Sequence, residues 1–268
     1  MPTNSDRNRP TGTQDDAGCV RVDDGLQGQY SRRMVLASAG AAGLLLTATV
    51  APEAQSRTSA SVSRQPDFSA MTEQIERATI VDVIVRERIA RDARRWDEMA
   101  SYYHPDSSVE VSWFKGTGAQ FVELTRRNVR PDAINFHQLS PGAVTLSGDR
   151  AIVDMPCVLL SFSQLDGVDV NQVGHAHLLW RARRTDSKWL IAGLRSYYVR
   201  DSLISCNPTR TPKLDEAKLA GYRQSYRYLS YILDSLGGRV RDDLPGVDRP
   251  ETIDALYAAE RGWLGAAS

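Results

Sequence analysis

Gly174-His175-Ala176-His177-Leu178-Leu179-Trp180, followed by Lys188-Trp189-Leu190-Ile191-Ala192-Gly193-Leu194, is the stretch that decides the fold. Both segments are rich in β-branched, aromatic and aliphatic residues, and a polar turn separates them. They read as two consecutive strands of a curved sheet. His175 and His177 are two apart, so both leave one face of the first strand, with about 7 Å between their Cα atoms. Ala176, Leu178 and Trp180 form the other, apolar face. In the second strand, Leu194, Ser196 and Tyr198 share a face and are expected to line a cavity with the histidines.

Working outward, the same strand signals recur on the N-terminal side. Ile134–Leu139, Val144–Leu146 and Ala151–Phe162 are strands, and Ser147-Gly148-Asp149 is a tight turn between the last two. Val109–Phe114 alternates and is a further strand. Helical spacing replaces alternation over residues 71–94, with Ile75, Ala78, Val81, Val85 and Ile89 as the apolar stripe and Thr72 as its cap. A short helix from Trp96 stops before His104-Pro105, because the residue before a proline avoids the helical region. Residues 119–130 form another helix, which the Gly116-Thr117-Gly118 break opens. The predicted fold is therefore α+β: a cone-shaped, curved antiparallel sheet wrapped on helices, with a pocket in its mouth. Residues 213–236 and Pro250–Leu264 add a C-terminal helical extension, which covers the sheet, closes the pocket mouth or builds a subunit interface.

The first seventy residues are of another kind. Residues 1–30 are polar. Ser31-Arg32-Arg33-Met34-Val35-Leu36 then leads into a weakly apolar run from Ala37 to Val50. Twin arginines before a Gly/Ala-rich segment resemble a twin-arginine export signal; an ordinary secretory signal is the alternative. The run is shorter than the roughly 20 residues of a membrane span. Residues 1–54 are thus expected to be a signal region engaged by export machinery, 55–70 a linker, 71–203 the folded domain and 204–268 the extension. Export places the protein in the periplasm or outside the cell, or on the membrane if the signal is not cleaved.

Across the 268 residues, 33 Lys and Arg balance 33 Asp and Glu, so no basic surface argues for nucleic acid. Cys19, Cys157 and Cys206 form no spaced pair, and Cys157 is expected as a buried free thiol. Two strand histidines suit metal ligation, but no third ligand follows them, so metal competes here with structural and pocket roles. Asp92, at a helix end, pairs either with Arg88 or Arg95 or with a pocket histidine.

Ala90-Arg91-Asp92-Ala93-Arg94-Arg95-Trp96-Asp97, Phe136-His137-Gln138-Leu139 and Trp189-Leu190-Ile191-Ala192-Gly193-Leu194 together resemble the SnoaL-like branch of the nuclear-transport-factor-2-like superfamily, and scytalone dehydratases within it. The resemblance spans about residues 71–203. It implies that Asp92 and His137 form a carboxylate–histidine pair that removes a proton beside a carbonyl, without any cofactor. It places Trp113 where those dehydratases have a carbonyl-polarising tyrosine and Ser161 where they have a second histidine. Counted back from Trp180, His175 and His177 fall at substrate-holding positions, and Leu194 and Tyr198 complete the expected lining. The expected partner is a small hydrophobic, aromatic or polyketide-like molecule. The expected activity is that of a lyase or isomerase, with a non-catalytic binding protein as the alternative. Self-association through the sheet or the C-terminal helices is a further possibility, as is a role as a partner subunit.

Overall fold

The computed structural model describes residues 67–129, 134–238 and 240–266, all within the unit Ser63–Ser268. The twin-arginine segment and most of the linker lie outside the described residues.

Helix α1 (Phe68–Asp92) opens the domain. Its cap is Asp67, whose carboxylate accepts from the Ser69 and Ala70 N–H groups, rather than Thr72. The buried stripe also differs from the expected one. Ile80, Ile84, Glu87, Arg88 and Ala90 face inward, while Ile75 and Ile89 stand in solvent. Glu87 and Arg88 satisfy each other, with Nε–Oε2 at 2.6 Å and Nη2–Oε1 at 2.7 Å. The Tyr103 hydroxyl donates to Glu87 at 2.8 Å. A hydropathy stripe cannot register two charges that are buried because they are paired.

Helix α2 (Trp96–Ser101) leads directly into β1 (Tyr103–Val111), so His104-Pro105 lies in a strand rather than at a helix end. β2 (Phe114–Thr117) folds back on β1 through a turn at Ser112-Trp113, where a single strand was expected. Thr117 and Gln120 form a capping box that starts α3 (Gly118–Asn128). A Cβ on Gly118 would meet the Tyr103 ring and the Ser107 hydroxyl, so the helix starts against β1 only because this residue is glycine.

The remaining strands are β3 (Ile134–Leu139), β4 (Ala143–Ser147), β5 (Arg150–Leu165), β6 (Val168–Thr185) and β7 (Lys188–Ser205). The order is β2-β1-β7-β6-β5-β3, with β4 also on β5. β5, β6 and β7 form long antiparallel pairs, and β3 and β4 share one edge of β5, meeting it on either side of Pro156. The sheet is mixed, however, because β1 runs parallel to β7. β2, α3 and β3 to β6 lie between the two strands in sequence, so no local turn signal reveals their relative direction.

The even-numbered face of β6 forms the core. Leu178, Trp180 and Ala182 pack with Ile80, Ile84, Met99, Val153, Met155, Cys157 and Leu194 on the concave side, against α1. Cys157 is buried and free, as expected, and burial pushes its thiol up to about 12.

Beyond β7, the expected helix over 213–236 is broken. α4 (Glu216–Ala220) and α5 (Arg227–Ser235) flank Gly221 and a 3₁₀ turn at Gln224–Tyr226. The Asp201 carboxylate of β7 accepts from the Leu229 N–H at 2.7 Å and fixes the start of α5. Residues 245–247 hydrogen-bond both the N–H and the carbonyl of Tyr198, covering β7 where β1 has ended. α6 (Pro250–Gly265) lies on the convex face, where Glu260 receives Arg181 at 2.6 and 3.1 Å. The extension therefore both closes the cone and covers part of the sheet.

Candidate functional site

A cavity of about 430 Å³ opens between the concave sheet, α1, α3 and α5. Arg91 and His137 contribute from α1 and β3, and Trp113 from the β1–β2 turn. Leu124 and Thr125 come from α3, Leu159 and Ser161 from β5, and Gln172, Gly174 and Ala176 from β6. Tyr198, Asp201, Tyr226, Leu229 and Leu233 close it from the C-terminal side.

His137 on this wall meets Asp92 behind it, although 45 positions separate them. The His137 backbone N–H donates to Asp92 Oδ2 at 2.8 Å, and its ring Nδ1 lies 2.7 Å from Oδ1. An ionised carboxylate only accepts, so Nδ1 carries the proton and Nε2 keeps a lone pair. Of the two pairings open for Asp92, the histidine is the one formed; Arg88 is occupied by Glu87. Burial works against the Asp92 charge, but the His137 ring and backbone bonds, helped by Arg91, hold its pKa below the usual carboxylate value.

The His137 side chain is 6% exposed. Burial pushes its pKa down to about 3, and the Arg91 charge adds to this against the opposing Asp92 bond. The ring is thus a neutral, weakly basic imidazole in the resting protein. Arg91 Nη1 stands 3.5 Å from Nε2 and 3.5 Å from Asp92 Oδ1.

Of the other expected lining residues, Trp113 and Ser161 are in place. Trp113 packs on Phe114 and Phe121, and the Ser161 hydroxyl donates to Asn135 Oδ1 at 2.9 Å. Tyr198 lines the cavity, but its hydroxyl is engaged: it accepts from the Ser112 N–H and the Ser196 hydroxyl, both at 3.1 Å.

Two placements differ from expectation. Leu194 is buried in the core rather than in the cavity lining. His177 is on the convex face, where Nδ1 meets Asp154 Oδ1 at 2.7 Å, the ring stacks on Tyr197, and the Tyr257 hydroxyl donates to Asp154 at 2.5 Å. His175 does line the cavity, as expected, at its exposed rim. The parity of β6 was right, but the cavity opens on its apolar face, because that is the face α1 must cover. Among the described residues no cluster of His, Cys, Asp and Glu is arranged to hold a metal.

Sequence reasoning missed Arg91, Gln172 and Asp201. Asp201 is buried, with Oδ1 lacking a partner, and burial raises its pKa against the opposing bonds from the start of α5 and from Gln172. Arg91 precedes Asp92 in the quoted motif, so helical position alone pointed to it; Gln172 and Asp201 carried no comparable signal.

A PEP2-like protein of Fusarium vanettenii is 27% identical to this chain, over 65% of it and 79% of the relative. Among solved structures, a hexachlorocyclohexane dehydrochlorinase of type 2 aligns with 54% of this chain and 99% of its own at 15% identity and a TM-score of 0.45. A protein assigned as a scytalone dehydratase from Novosphingobium aromaticivorans aligns with 54% of this chain and 95% of its own at 14% identity and a TM-score of 0.42. Residues 73–195, which carry α1, the Asp92–His137 pair and the sheet as far as β7, match the SnoaL-like domain family.

Proposed function

We propose that the protein takes a small hydrophobic carbonyl compound into this cavity and removes a proton from the carbon next to the carbonyl. His137 Nε2 is the base, and Asp92 fixes its tautomer and stabilises the imidazolium that forms. Loss of that proton leads to elimination of water or another leaving group, or to isomerisation. The observation carrying this reading is the buried carboxylate–imidazole pair, bonded twice, whose imidazole lies on the wall of a mainly apolar cavity. The apolar lining favours an aromatic or polyketide-like ring.

The test is hydrogen–deuterium exchange at the α-carbon of 2-tetralone in D₂O, followed by NMR. Exchange above buffer that disappears in His137→Ala supports the proposal; equal exchange in both proteins refutes it. A second reading, a binding protein without turnover, gains support from the low basicity of His137 at rest and the guanidinium beside its lone pair. In that case 2-tetralone binds and no exchange follows.

We also propose that Arg32 and Arg33 direct export through the twin-arginine route. A reporter fused to residues 1–60 should leave the cytoplasm and stay inside when both arginines become lysines.

A further inference from the structure

One charged group on the cavity wall has no close partner among the described residues. The Arg91 side chain is 13% exposed. Both of its polar contacts, to Asp92 and to His137, are at 3.5 Å, the outer limit of a hydrogen bond. Its Nε is buried with no acceptor. Its other contact is the face of the Phe121 ring, 6.0 Å away. Arg88, one turn earlier, shows what a satisfied guanidinium looks like in the same helix, bonded to Glu87 at 2.6 and 2.7 Å. A guanidinium has five N–H donors, and burying it without acceptors is unfavourable. An arginine left in this state, lining a cavity, is matched to an acceptor that arrives with the ligand.

We propose that Arg91 binds the carbonyl oxygen of the substrate and stabilises it as an enolate, so that the ligand class is an enolisable ketone or aldehyde. This rests on the proton-abstraction reading above. In such a compound the acidic carbon and the oxygen are separated by about 2.4 Å, from standard C–C and C=O lengths. A base and a donor 3.5 Å apart can address both at once. His137 Nε2 takes the proton, the C–H electron pair becomes the new C=C bond, and the C=O π pair moves to the oxygen. The guanidinium then shifts from the imidazole to that oxygen. Its charge, one of the causes of the low basicity of His137, is neutralised as the proton arrives.

The test uses 4-nitrophenol, whose anion mimics an enolate and whose ionisation is read by absorbance. Bound to the wild-type protein it should ionise at least about one pH unit lower than in water, a tenfold preference for the anion. Arg91→Met should abolish the preference, and Arg91→Lys should keep only part of it, because an ammonium lacks the planar fork. In parallel, 2-tetralone exchange should fall about 10²-fold in Arg91→Met, the usual loss for one oxyanion donor. Thermal melts establish that each variant is folded, and if Arg91→Met is not, Arg91→Lys decides. Absence of binding, an unshifted titration in wild-type protein, or a preference surviving in Arg91→Met overturns the assignment. Anion preference without ketone exchange sinks the proton-abstraction reading alone; exchange without anion preference sinks the role of Arg91 alone.

Discussion

Replacing Asp92 by asparagine preserves the shape of the site and inverts its chemistry. Asp92 accepts twice from His137, from the backbone N–H at 2.8 Å and from Nδ1 at 2.7 Å. An asparagine has one oxygen and one NH₂ group. The backbone N–H is always a donor, so the oxygen must stay with it, and the NH₂ then faces Nδ1. Only the other tautomer, with bare Nδ1 and protonated Nε2, can accept that bond. The lone pair is thereby moved away from the cavity, and the new Nε2–H points at Arg91 Nη1, 3.5 Å away, donor against donor.

Two charge-assisted bonds become two neutral ones, and a donor–donor clash with Arg91 is added. At about 1–2 kcal/mol lost for each, the domain is weakened by about 2–4 kcal/mol. For a domain of this size that lowers Tm by about 5–15 °C. In serine proteases the corresponding change costs about 10⁴ in kcat through the wrong tautomer, and a loss of that order is expected in ketone exchange here. The direct assay is ¹⁵N NMR of the imidazole rings, which needs no substrate; with 4 histidines in the chain, assignment by single substitutions is practical. Wild-type His137 should show protonated Nδ1, and Asp92→Asn should show protonated Nε2. A wild-type ring protonated at Nε2, or a variant with an unchanged tautomer, refutes the reasoning.

Three further outcomes are expected. His137 is depressed in the folded state to about 3, so between about pH 6.5 and pH 3 the unfolded chain binds the extra proton and stability must fall as pH falls. Urea midpoints at pH 7 and pH 4.5 should therefore differ less in His137→Gln than in wild-type protein; an equal difference rules out the buried neutral imidazole. Glu260 is 2% exposed and holds Arg181 and Arg195, so Glu260→Gln should cost about 3 kcal/mol and expose α6 to limited proteolysis. Asp201→Ala removes the anchor of α5, costs about 1.5–3 kcal/mol, and should raise amide exchange in residues 227–235 while α1 stays protected; uniform exchange would argue against α5 as a separately held cover.

The strands were legible because alternation and turn residues are local. Gly148, at φ 56°, marks the β4–β5 turn, β5 runs close to where its residues suggested, and β6 and β7 contain the two quoted segments and extend beyond them. The Asp92–His137 pair was reached through the resemblance of two short motifs, since nothing local links a helix end to a strand 45 residues later. His177 was misassigned because two polar residues two apart look like one site, whereas the apolar residues opposite His177 are what a covered cavity needs. The break at Gly221 fell inside a stretch whose Leu and Tyr residues keep helical spacing, and Asp201, which fixes where α5 restarts, lies on another element.

Sequence alone determined most of the helices and strands, the balance of charge and the parity of β6, because these depend on neighbours along the chain. Tertiary structure decided which face of β6 looks inward, that β1 runs parallel to β7, that Arg91 is buried beside a neutral His137, and that α5 closes the cavity. Each of these depends on which distant groups exclude water from one another, and burial of that kind has no period that a linear sequence displays.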